Sequence, residues 1–282
     1  MRSRYRRGTL LLGAPFALGA LLLVVGPAVV TAGYAFTSYD GLSPAEWNGL
    51  QTFRDVLADP ELHASLRSTG VFLALAVPVR VLGGLLLALL AQSGRLSGAT
   101  RTAVFAPAVL PDPATALIWL WVVNPLYGPL GLVLDGPVLV DRWGARLTVV
   151  ALSVFALGEG FLVTLAARRE LPPELDELAR VEGASAWQRL RRVTLPLLAP
   201  VLLLLAARDV LASMTMALVP TLLLTRGGPL DATKTLPLLV YERGFREGEL
   251  GEGAALAVLT LLLGLAAFAV ALLAVRLLRP RH

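Results

Sequence analysis

Six apolar blocks, at residues 9–36, 68–92, 102–123, 148–167, 197–225 and 254–278, leave this chain little choice of fold. Each is about as long as the roughly 20 residues a helix needs to cross the hydrocarbon of a bilayer. Inside a bilayer a spanning segment must satisfy its own backbone polar groups, so the blocks are expected as helices. With 56 % of the residues hydrophobic, a soluble domain of this size is excluded. The expectation is an all-α, multi-pass integral membrane protein with six transmembrane helices within residues 9–278. A basic head, residues 1–8, precedes the first block. Val30-Thr31-Ala32 has the look of a signal cleavage site, but the block is longer than a signal-peptide core, so it is expected to be a retained helix.

The 25 Lys+Arg face 20 Asp+Glu, and Lys234 is the sole lysine. A basic balance can signal nucleic acid. Here the arginines stand at the ends of apolar blocks, which fits membrane topology instead, and no nucleic-acid partner is expected. Six spans place both termini on one side. That side collects fifteen basic residues, in the head, at Arg95 and Arg101, within 168–192, and from Arg276 through the tail. The connections at 37–67, 124–147 and 226–253 hold eight. Positive charge stays inside, so both termini, the tail 279–282 and the segment 170–196 are expected in the cytoplasm. The absence of cysteine excludes disulfides, thiolate metal sites and a thiol nucleophile. The glycines Gly248, Gly251 and Gly253 follow no strand, and no P-loop is present, so ATP binding by that route is excluded.

Five charged residues lie within the blocks away from their ends: Arg80, Asp112, Glu159, Arg208 and Asp209. Charges at membrane depth are costly and usually face a bundle interior or a wet cavity. Two positives and three negatives can pair off structurally, or they can line a polar pathway that hydrogen-bonds hydroxyls. Asp112 is the first candidate for the pathway, because Pro107, Pro111 and Pro113 break the helix around it and open backbone groups. Arg208, beside Asp209, is next, as a donor to hydroxyl oxygens or a phosphate. Arg80 and Glu159 read equally as packing partners. Asp112 with Glu159 or Asp209 also admits an aspartyl-type intramembrane enzyme, although the local motifs for it are missing and His63 and His282 lie elsewhere. A self-contained secondary transporter is the third class, and the blocks show no inverted repeat to support it.

The most charged stretch is Glu170 to Pro200. Pro172-Pro173 suits the first turn of a helix. Leu175, Leu178 and Ala179 then share a face, flanked by Glu174, Glu177 and Arg180. Gly183 stands where that helix would end. Ser185 and Gln188 have capping-box spacing for a second short helix carrying Trp187 and Leu190, closed by Leu195-Pro196. By itself this is a cytoplasmic helix-turn-helix between the fourth and fifth spans.

Glu177-Leu178-Ala179, Gly183, Val193 and Leu195-Pro196 together resemble the EAA loop of ABC-transporter permeases, with Leu178 standing where that motif has alanine. The resemblance runs through most of the chain, toward the first permease of the maltose and glycerol-phosphate type of carbohydrate importer. It is carried by Gly49 to Phe53, by Pro107, Trp119, Asn124-Pro125 and Gly128, by Leu224 to Pro229 with Ala232-Thr233, and by Tyr241 and Phe245. It implies a permease of a bacterial cytoplasmic membrane, not an enzyme, that forms half of the pathway for a sugar, polyol or glycerol-phosphate solute. It further implies a second permease, two cytosolic ATPase subunits that bind the ATP and Mg, an extracellular solute-binding protein met by 37–67 and 226–253, and no cofactor in this chain. Glu177, Leu178, Ala179, Gly183, Trp187, Leu195 and Pro196 would then be the coupling residues that dock on an ATPase.

Overall fold

The computed structural model describes residues 13–92, 94, 96–131, 133 and 137–278. The basic head, Arg95 and the tail lie outside the described residues. The chain divides into two compact units, Met1–Leu62 with Leu239–Leu259 and His63–Leu238 with Thr260–His282.

The first unit opens with α1 (Gly13–Tyr34), an apolar helix with none of its hydrophobic window buried. A helix apolar on every side belongs against lipid. A two-stranded ribbon follows, β1 (Thr37–Ser38) antiparallel to β2 (Glu46–Trp47), with Thr37 opposite Trp47. Phe36 stacks on Trp47 at 5.5 Å and tilts against Phe53 of α2 (Gln51–Ala58) at 5.1 Å. Thr52 Oγ1 donates to Thr37 O at 3.2 Å, and Gly251 N donates to Tyr39 O at 2.9 Å. These contacts explain Gly49 to Phe53 and Gly251 structurally.

Arg243 is the polar centre of this unit. Its guanidinium meets Asp59 at 2.6 Å, Glu247 at 3.0 Å, Glu61 at 3.5 Å and Glu252 at 3.9 Å. Burial works against its charge, and the carboxylates of Glu247, Asp59, Glu61 and Glu252 outweigh that, so it is held more firmly protonated than a free arginine. Arg243→Met leaves those carboxylates facing one another. A loss of about 1.5–3 kcal/mol is expected, the usual worth of hydrogen bonds to a charged group, read as a lower midpoint in thermal unfolding.

The second unit holds most of α3 (Pro60–Gln92), then α4 (Gly98–Val109), α5 (Asp112–Val122), α6 (Arg142–Phe155), α7 (Gly158–Arg169), α8 (Pro173–Val181), α9 (Ala186–Thr215) and α10 (Leu218–Pro220). After α10 the chain widens into a π-type turn, Thr221–Thr225. Later come α11 (Leu236–Tyr241) and α12 (Leu250–Leu278). Four helices are long and apolar enough to cross a membrane, and the bent pairs α4–α5 and α6–α7 raise this to six if each pair is one span. Alanines of α3 lie in both of its packing clusters. Phe72 and Ala76 pack on Val149 and Val150 of α6, while Ala88 and Ala91 pack on Phe161 and Leu165 of α7. Ala116, Leu152 and Leu224 close a third cluster of α5, α6 and the turn after α10. Small-against-large contact lets helices approach where lipid removes the hydrophobic drive to associate.

Four departures from the sequence expectation stand out. α3 begins at Pro60 rather than at 68, because Asp59 caps it, Oδ1 accepting from Glu61 N at 2.8 Å, and proline suits the first turn. The block 148–167 is two helices bent by 48°, starting at Arg142, where Asp141 Oδ2 accepts from Gly144 N at 2.8 Å. The second helix of the charged segment is not closed at Leu195-Pro196 but runs unbroken into the fifth apolar block as α9. A π-type turn at Leu190–Thr194, in which Leu195 N donates to Leu190 O, leads directly into Pro196 and so accommodates its missing N–H. α12 begins at Leu250, four residues before its block.

Candidate functional site: a charged cavity and a charged corner

Two helix breaks build the cavity. At Leu110-Pro111 the chain turns between α4 and α5 by 105°. Pro111 cannot continue a helix, and it disfavours helical geometry in the residue before it. Asp112 is thereby placed in the first turn of α5. At Ala156-Leu157 the chain bends again, and Glu159 follows in the first turn of α7. Arg80 from α3 and the pair Arg208-Asp209 from α9 complete the ring. All five charged residues expected from the sequence line one cavity of about 130 Å³. A neighbouring cavity of about 80 Å³ shares Arg80 and Asp112 and adds Thr115, Ser153 and Ser213.

Four of the five charges form a ladder. Arg80 Nε lies 3.3 Å from Asp209 Oδ2, and Arg80 Nη2 donates to Ser213 Oγ at 2.6 Å. Arg208 reaches Asp209 Oδ1 at 3.5 Å and Glu159 Oε2 at 2.5 Å. Arg80 and Asp209 are 14 % exposed, whereas Arg208 and Glu159 are 45 % and 55 % exposed. Asp112 is exposed and has no ion-pair partner among the described residues. The structural and solvent-facing roles are therefore divided: Arg80–Asp209 holds α3 to α9, and Arg208, Glu159 and Asp112 face the space. Removing one member of a buried pair strands the other charge. Arg80→Met is expected to cost about 3–5 kcal/mol, seen as loss of folded protein from detergent extracts, and Arg80→Met with Asp209→Leu is expected to recover most of it.

The segment 170–196 forms a corner. α8 ends at Gly183, whose φ is +82°, with Ala184 N donating to Ala179 O at 2.9 Å and Gly183 N to Arg180 O at 3.0 Å. This six-to-one and five-to-two pair is a Schellman cap. Both arms of the Ser185–Gln188 capping box are made, at 3.3 and 2.7 Å. Across the corner Asp176 Oδ1 accepts from Arg189 Nε at 3.1 Å, and Arg189 Nη1 donates to Ala184 O at 3.2 Å. The pairing of Asp176 with Arg189 is not legible in the sequence. Thirteen positions apart on two helices, they show no local periodicity, and only the corner's geometry pairs them. Glu177, Leu178, Trp187 and Pro196 are exposed, with Leu178 at 58 % and Trp187 at 64 %, while Ala179 and Leu195 are half-buried.

The Gly-Gly-Pro segment is a structural knot. Thr225 and Thr233 hydroxyls meet at 2.6 Å, and Thr233 Oγ1 donates to Gly228 O at 2.8 Å. Ser68 Oγ donates to Asp231 O at 2.7 Å, and Arg146 Nε to Ala232 O at 2.9 Å. Asn124 Oδ1 accepts from Leu126 N at 2.9 Å, which shapes the turn after α5. Trp119 meets Phe155 edge-on at 6.0 Å. None of these residues lines the charged cavity.

Among the described residues no group of three or more His, Cys, Asp or Glu is placed to hold a metal. Broken apolar helices around a charged cavity fit a membrane permease. Residues 80–281 match the family of the binding-protein-dependent transport system inner membrane component. The chain belongs to that family, a family of transport subunits rather than enzymes. It is 30 % identical over 267 residues to the probable ABC transporter permease protein YesP of Bacillus subtilis (strain 168), covering 89 % of this chain and 85 % of that one. It is 32 % identical over 235 residues to the sn-glycerol-3-phosphate transport system permease protein UgpA of Agrobacterium fabrum, covering 80 % and 79 %. Its fold matches a chain of a bacterial ABC transporter involved in import of the acidic polysaccharide alginate, with a TM-score of 0.78 at 19 % identity over 99 % of both chains.

Proposed function

We propose that this chain is a six-span permease subunit of an ABC importer for a carbohydrate or related polyol or glycerol-phosphate solute. The charged cavity is its share of the solute pathway, and the corner at 170–196 is its dock for a cytosolic ATPase. The observation that carries the reading is the placement of Asp112 and Glu159 at two helix breaks, with Arg208 of α9 beside them, around one cavity. Broken helices that present charge to a cavity are how transporters build solute sites inside a membrane. The relatives support the cargo class, among them the sulfoquinovosyl glycerol transport system permease protein SmoG of Agrobacterium fabrum, 30 % identical over 94 % of this chain. A second permease completes the pathway. A solute-binding protein delivers the cargo outside, as the alginate transporter is seen with a pentasaccharide-bound periplasmic protein.

ATP and Mg are bound by the ATPase subunits, and this chain contributes no cofactor. Both termini and the corner face the cytoplasm, supported by the arginine distribution along the sequence. At the dock, Leu178 and Trp187 present apolar surface and Glu177 a carboxylate. Because α9 runs from the corner through the cavity residues Arg208 and Asp209, displacement of the corner moves the ladder as a rigid body.

Affinity purification of the tagged chain from its native membrane tests this. An ATPase and a second permease should co-purify, and loaded binding protein should raise ATP hydrolysis in the reconstituted complex. Purification of the chain without any ATPase would overturn the reading.

A further inference from the structure

The reading of the cavity as the solute pathway allows its charge to be interpreted. We propose that this chain's half of the pathway is built for an uncharged polyhydroxylated solute, with Asp112 as its hydroxyl acceptor, and that it rejects uronates and phosphate esters. No lysine lines the cavity, so recognition of a carboxylate or phosphate there is best served by a guanidinium free to make a fork of two hydrogen bonds. Two guanidiniums reach this cavity, and both are committed. Arg80 is engaged by Asp209 and Ser213. Arg208 is engaged by Glu159 and Asp209. Those two carboxylates balance the two arginines, and Asp112 remains as an unbalanced negative charge at the cavity wall.

An entering anion would meet Asp112 and would have to draw Arg208 away from Glu159, stranding a second carboxylate. A sugar hydroxyl needs neither step. It donates to Asp112, and its oxygen can accept a remaining N–H of Arg208 while the ion pair persists. Between these charges the wall is small and apolar, with Ala108, Ala156, Leu157 and Ala212. Such a surface suits the C–H face of a sugar ring.

The test uses the complete complex in proteoliposomes with radiolabelled probes: maltotriose and trehalose as neutral solutes, glycerol 3-phosphate and triguluronate as anionic ones. Uptake of a neutral probe and of neither anion is expected. For the neutral probe, Asp112→Asn and Asp112→Ala should each raise KM by about tenfold, the loss of one charge-assisted hydrogen bond. The amount of assembled complex, by size-exclusion chromatography, should be unchanged, because Asp112 holds no ion pair among the described residues. ATP-driven uptake of an anionic probe overturns the inference and leaves the carbohydrate reading standing. So does an unchanged KM in Asp112→Ala. Uptake of neither class overturns both.

Discussion

A chain carrying Gly183→Val is expected to reach the membrane and assemble, yet to lose most ATP-driven uptake. The corner needs φ of +82° at this position. A residue with a side chain pays about 1–2 kcal/mol there, and β-branching worsens it. Nothing lies within 4 Å of a Cβ built on Gly183. The added Cβ therefore meets no neighbour, and the expected effect is on backbone conformation. Relaxing φ undoes the two cap hydrogen bonds and pulls Asp176 from Arg189, so α8 no longer moves with α9. The ratio of solute moved to ATP hydrolysed should fall roughly tenfold, following from that conformational cost. Gly183→Asn, which tolerates the left-handed region, should stay near the parent value. Normal uptake in the valine variant would mean that the corner need not be rigid.

The second large effect falls on folding. Gly158 and Gly160 stand two apart and read alike in the sequence, but opposite outcomes are expected. A Cβ on Gly158 would lie 2.8 Å from Phe105 Cα and 2.9 Å from Val104 O. These are backbone atoms of α4, which cannot yield as a flexible side chain does. Gly158→Ala should cost about 1–3 kcal/mol by overpacking, and Gly158→Val more, with loss of folded protein. A Cβ on Gly160 meets nothing within 4 Å. Gly160→Ala should be neutral or stabilising by up to about 1 kcal/mol through helix propensity. Fluorescence-detected size-exclusion melting of the two alanine variants separates them. Equal melting would show that α7 does not rely on contact with α4.

Much of the site is legible in the chain because charge is so rare inside apolar blocks. Arg80, Asp112, Glu159, Arg208 and Asp209 are conspicuous there, and the structure gathers all five. Their pairing is not legible. Arg208 reads as a free donor for a phosphate until Glu159, 49 positions away, is seen to hold it. The prolines around Asp112 forecast the break between α4 and α5, since a proline acts on its own neighbours. The bend before Gly158 has no proline to mark it, and the close approach of Phe105 that Gly158 permits belongs to another helix, which the sequence does not reveal. Arg243 also escapes the sequence reading. It looks like one of four basic residues in a connection, and only folding brings Asp59 and Glu61 to it.

By itself the sequence determined the apolar blocks, the caps at Pro172-Pro173, Gly183 and Ser185–Gln188, and the sparse charges of the cavity. Each follows from interactions within one or two turns of helix, or from the hydropathy of a single segment. Tertiary structure alone decided that α9 runs unbroken from the corner to the cavity, that Asp176 latches onto Arg189, and that Asp112 has no counter-charge among the described residues. Those outcomes depend on which helix faces which. Facing is set by close packing at positions such as Ala88 against Phe161, where the fit of two surfaces, not the character of either, selects the neighbour.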